Sequence, residues 1–218
     1  MKRIAGFIFL FLLQGVFLTS GCQKVYYDTM EKFGVHKRDI MVDRVEKARD
    51  SQQEAKEQFQ SALERFSTVL NFKGGKLEDK YKTLQAEYDR SEAKADEVKK
   101  RIDAVEDVSD ALFDEWKAEL DQYSSSSLRR DSERKLARTR SQYEQLIKAM
   151  RRAEAKIAPV LNAFNDQVLY LKHNLNAQAI ASLQSELVAV ESDIAELIKE
   201  MEKSIGEADS FIKTMLEE

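Results

Sequence analysis

Apolar residues in this chain recur at alternating three- and four-residue steps over most of its length, the spacing of a seam between supercoiled helices. A first run takes Val45, Ala48, Gln52, Ala55, Phe59, Ala62, Phe66 and Val69, and stops at Gly74-Gly75, a pair that ends a helix and makes a turn. A second begins at once with Leu77, Tyr81, Leu84, Tyr88, Ser91, Ala95, Val98, Ile102, Val105, Ser109, Leu112 and Trp116, and reaches Tyr123 after Glu119. The serine tract Ser124 to Ser127 is a poor helix interior and marks the next loop. A third run places Leu136, Tyr143, Met150, Ile157, Phe164 and Leu171 at strict sevens, with Leu146, Ala153 and Val160 between them. Pro159 falls inside it and predicts a kink rather than a stop. The fourth takes Leu183, Leu187, Val190, Ile194, Leu197, Met201, Ala208, Phe211 and Met215 in a shifted register. That shift favours a turn near His173 to Ala177, around Asn174 and Asn176, over a continuous helix that rewinds locally.

The expected fold is therefore all-α: a long antiparallel, up-down helical bundle or coiled coil. Its helices would cover about 39–72, 76–123, 128–173 and 177–217, with residues 39–218 as the bundle. Composition agrees, since seven glycines, one proline and 34% charged residues suit long helices that each bury a narrow stripe. Small residues on the first seam, Ala48, Ala55 and Ala62, would permit close approach there.

Charge is segregated along the chain. Residues 77–123 hold fifteen acidic and eight basic residues, a net of −7, and the segment from Ala177 onward also carries −7. Between them, residues 128–156 hold ten basic and four acidic residues, a net of +6. A basic helix between two acidic ones predicts cross-helix pairing for Arg129, Arg130, Arg134, Lys135, Arg138 and Arg140, although each exposed pair is worth only tenths of a kcal/mol. Phosphate binding by this stretch, to lipid headgroups or cell-wall polymers, is the second reading. The overall charge of −4 argues against nucleic acid as a partner.

The N-terminus has a different character. Lys2 and Arg3 precede an apolar run from Ile4 to Leu18, followed by the small residues Thr19, Ser20 and Gly21, the layout of a secretory signal over residues 1–21. The sole cysteine, Cys22, follows directly, and Leu18-Thr19-Ser20-Gly21-Cys22 resembles the lipobox of bacterial lipoproteins. The departure is Thr19, where that pattern prefers leucine. The resemblance implies lipidation of Cys22 and cleavage before it, and acylation with two or three chains gives stable anchoring. By the sorting rule of enteric bacteria, Gln23 points to the periplasmic face of the outer membrane, with the inner membrane or an uncleaved signal anchor as the alternative. Residues 22–38 would form a lipidated tether whose Tyr26, Tyr27, Met30 and Phe33 either contact the membrane surface or pack on the bundle end, the latter slightly favoured.

No catalytic constellation, metal-ligand spacing or cofactor motif is present; His36 and His173 have no partner at ligand spacing. The segment 161–176 differs in carrying apolar residues around more of the helix. Its Phe164, Val168, Tyr170, Leu171 and His173 are read as a helix touching several neighbours, or else as a patch for a protein partner.

On the segments Tyr26 to Arg38 and Val168 to Ala177, the whole mature chain resembles a family of uncharacterised proteobacterial lipoproteins known only as a domain of unknown function. The resemblance implies no activity and no functional residues. The expected role is a non-enzymatic, membrane-anchored envelope lipoprotein that scaffolds or binds a protein partner. The alternatives are an accessory subunit of an envelope enzyme or transporter and, further off, an envelope hydrolase. Heptad seams allow homo-oligomers as readily as intramolecular packing.

Overall fold

The computed structural model describes Tyr27, Met30, residues 34–71, Gly74 and residues 76–217; Cys22, Tyr26 and Phe33 lie outside these. Four long helices account for nearly all of them: α1 (Lys37–Asn71), α2 (Leu77–Glu119), α3 (Ser126–His173) and α4 (Ala177–Glu217). A short 3-10 turn, Leu120–Gln122, follows α2, and no strand occurs among the described residues. Each helix packs on its neighbours in the chain and α4 closes back on α1, so the helices run up and down around one long core. With 48 residues, α3 is about 72 Å long. Two ends result. The near end holds the start of α1 and the α2–α3 turn; the far end holds the α1–α2 and α3–α4 turns.

Local chemistry sets the boundaries. Gly34 has φ +80° and the Val35 N–H returns to the Met30 carbonyl at 3.1 Å, the closure that ends a helical turn with glycine in the left-handed region. Ser125 caps α3 by accepting from the Leu128 N–H at 3.4 Å, which draws the helix start into the serine tract at Ser126. Asn174 Nδ2 donates to the Tyr170 carbonyl at 2.9 Å, while Asn176 Oδ1 accepts the Ala179 N–H at 2.9 Å. One asparagine thus closes α3 and the next opens α4, so the two helices are separate. Helix α3 runs unbroken through Pro159, which is exposed.

The seams are buried as the periodicity requires, with Val45, Ala48, Ala55, Phe59, Ile102, Met150, Leu197 and Met201 among the buried residues. Full burial of such side chains contributes about 1.5–3 kcal/mol for each of the larger ones. The alanines of α1 leave no exposed surface, and α1 with α2 makes the most extensive contact of any pair. Tyr123, expected on the second seam, is exposed at 42%; the 3-10 turn rotates the chain so that Leu120 is buried instead. Val108 and Phe113, off that seam, are buried too, because a helix with two neighbours buries a wider face than a two-stranded seam does.

The core divides into two clusters. The larger runs from the near end past the middle; the smaller, at the far end, contains Ala62, Phe66, Leu70, Leu84, Phe164, Val168 and Leu171. Between their levels lies a polar layer. Gln58 Nε2 donates to Glu87 Oε2 at 3.0 Å, Arg90 lies 2.5 Å from Glu87 Oε1, and buried Ser91 donates to the Glu87 carbonyl. Glu87 is almost fully buried yet has its charge and lone pairs answered.

Candidate functional site

Three regions were singled out by sequence: the tether, the far-end segment 161–176 and the basic stretch of α3. On the tether, Tyr27 is only 5% exposed and belongs to the larger cluster, together with Ile40, Leu112, Phe211 and Met215. Met30 and Val35 pack against the same cluster. Tyr27 therefore packs on the bundle end, and Met30, partly buried, lies against it. Nearby, Lys37 Nζ reaches Glu115 Oε1 at 2.8 Å, Arg38 Nε donates to the Met215 carbonyl at 3.1 Å, and Trp116 Nε1 donates to Ser132 Oγ at 2.8 Å. These bonds tie the first turns of α1 and α3 to the last turns of α2 and α4.

The far-end segment splits by helical face. Phe164, Val168 and Leu171 are buried in the smaller cluster, where the Phe164 ring meets Phe66 and Tyr88 edge-on at centroid distances of 5.9 and 6.2 Å. As a partner patch those three are withdrawn: periodicity placed them on a face, and neighbouring helices cover that face. Tyr170 and His173 remain exposed, joined by Leu169 and Leu175. Beside Tyr170 an open groove of about 660 Å³ lies between α3 and α4. Small residues of α4, Ser182, Ser185 and Ala189, leave it unfilled, and Asp166, Glu186 and Asp193 give it an acidic lining. Gln167, 7% exposed, lines it as well, and its Oε1 has no hydrogen-bond partner among the described residues.

The basic stretch departs from its expected pairing. Arg129 bonds Asp121 and Glu133, Arg134 and Lys135 lie on Asp131, and Arg140 on Glu144. Only Arg129 reaches the acidic segment 77–123, at Asp121 in the 3-10 turn; the other partners are in α3 itself. Arg140 also sits over the Phe113 ring at 5.8 Å. Cross-helix pairing is instead made further along: Arg151 to Asp103 and Glu106 of α2, Arg152 to Glu200 and Lys156 to Glu196 of α4. Axial level decides this, since a side chain reaches only the carboxylates beside it. Bonds from Lys99 and then Arg151 hold the Asp103 carboxyl below the usual range. Partial desolvation, then repulsion from Asp114, Glu106 and Asp107, pushes Asp110 up.

Among the described residues no group of three or more His, Cys, Asp or Glu is placed to hold a metal ion, and no helix is long and apolar enough to cross a membrane. His36 and His173 are both exposed, at opposite ends. A family model described as "Protein of unknown function (DUF2959)" matches residues 26–215. No curated protein and no solved structure matches the chain.

Proposed function

The chain belongs to this family of proteins of unknown function, and we propose that it is a membrane-anchored helical rod that scaffolds or binds a protein partner without catalysis. Lipidation at Cys22 is the anchor in this reading, on the periplasmic face of the outer membrane. The observation that carries it is the position of the only cysteine, directly after an apolar leader and a run of small residues. Tyr27, buried five residues later, supports it: the anchor would hold the near end close to the bilayer.

A structural role fits how the buried polar groups are employed. Glu87 is bonded by Gln58 and Arg90, and Gln52 by Ser204, so these side chains join helices to one another. The far end then projects away from the anchor by up to the length of α3, about 72 Å, with Leu169, Tyr170 and Leu175 exposed there. That exposure favours the far end as the place where a protein partner, or the complex served by an accessory subunit, would dock. Metabolic palmitate labelling tests the anchor: the label should be lost in Cys22→Ser, and a label that persists refutes acylation at this residue.

A further inference from the structure

The first half of α3 carries charge that the bundle does not use. Ser132 and Thr139 are turned into the core, so at 100° per residue positions 130, 134, 138, 141, 145 and 148 fall on the opposite face. That outward stripe holds Arg130, Arg134, Arg138 and Lys148, all exposed, with one carboxylate, Glu144, at its edge. The three acids flanking it are already occupied: Asp131 by Arg134 and Lys135, Glu133 by Arg129, and Glu144 by Arg140. Among the described residues Arg130, Arg138 and Lys148 make no ion pair. The stripe is about 27 Å long.

Its place in the fold points to what it meets. Helix α3 starts at the near end, tied there by the Trp116 to Ser132 bond, and the chain arrives at the same end. Tyr27 is fixed in the core five residues after Cys22, and five residues span at most about 18 Å. A bilayer holding Cys22 is thus within reach of the first turns of α3. Arginine guanidinium groups are suited to phosphate oxygens, which they meet through two parallel N–H bonds.

We propose that the outward face of α3 from Arg130 to Lys148 lies on anionic lipid headgroups, drawing the rod down along the bilayer rather than leaving it upright. This rests on the anchoring of Cys22 argued above. Each basic residue near an anionic surface is worth about five-fold in the contact equilibrium.

The test uses the full chain reconstituted into vesicles of phosphatidylcholine, with or without phosphatidylglycerol. A fluorophore at Ser141→Cys, between Arg138 and Lys148, reports energy transfer to a headgroup-labelled lipid. Transfer should be greater on the anionic vesicles and fall as salt is added. Arg130→Gln with Arg138→Gln should reduce the contact equilibrium by about 25-fold, and the paired lysine variants should keep most of it. Equal transfer on both vesicles, or transfer indifferent to the glutamine pair, overturns the proposal. So does arginine-dependent binding of inorganic polyphosphate without any preference for anionic vesicles, which would assign the stripe to a soluble polyanion. Dye uptake by the chain without the Ser141 change separates the two readings: a Cys22 thiol that takes dye is not acylated, whatever the transfer shows.

Discussion

Gln52 and Ser204 form a buried polar contact inside an otherwise apolar stretch, and its two halves are unequal. Both side chains have no exposed surface, and Ser204 Oγ donates to Gln52 Oε1 at 2.8 Å. The other end of the same amide, Nε2, is buried with no hydrogen-bond partner among the described residues. Ser204→Ala removes the one bond to the amide oxygen among the described residues and leaves the whole amide stranded, which costs about 1–3 kcal/mol. Gln52→Leu with Ser204→Ala removes both polar groups at similar volume, relieves the stranded Nε2 and should stabilise by a comparable amount. At roughly 2–4 °C per kcal/mol for a chain of this size, the double variant should melt at least about 5 °C above the single one. Thermal unfolding followed by circular dichroism at 222 nm measures this on the full chain, with near-ultraviolet circular dichroism and light scattering to check packing and oligomeric state. A buried polar pair in a heptad seam also fixes register, so the double variant should gain stability while losing some uniqueness of packing. If Ser204→Ala proves neutral, or the double variant melts below it, the amide is not stranded and the reasoning fails.

At the far end, Phe164→Ala should cost about 3–5 kcal/mol by emptying the space between Phe66 and Tyr88. Tyr170→Ala, two turns away but exposed, should fall within about 0.5 kcal/mol of the parent; chemical denaturation of the two variants compares them, and equal losses would contradict the division of this segment by face. Asp110→Asn tests the crowding of carboxylates on α2. The Asp110 carboxyl is pushed up in the fold, so its ionised form opposes folding at neutral pH. That penalty is complete above the raised folded pKa, shrinks as pH falls through it and is gone below the ordinary aspartate value of 3.8. The variant should therefore melt higher than the parent at pH 7 and show no such advantage at pH 3; a gain that persists unchanged in acid would refute the electrostatic cause.

Periodicity, glycine pairs, a serine tract and two asparagines are local signals, and they carried the helical class, the four segments and their breaks. Even the buried Gln52–Ser204 contact left a trace, since the fourth run passes from Met201 to Ala208 without an apolar residue at the intervening seam position, where Ser204 stands. The apolar leader and Cys22 are likewise matters of sequence, and they lie outside the described residues. Tertiary structure decided which faces are covered. A heptad marks a stripe but not how many neighbours flank it, so Val108 and Phe113 joined the core, while Phe164, Val168 and Leu171 were taken from the proposed patch and Tyr170 and His173 left on it. Charge was subject to the same limit. The net sign of each segment is legible in one dimension, but an ion pair needs two side chains at one axial level on facing sides. Antiparallel packing met that condition at Arg151, Arg152 and Lys156 and not at Arg130 and Arg138.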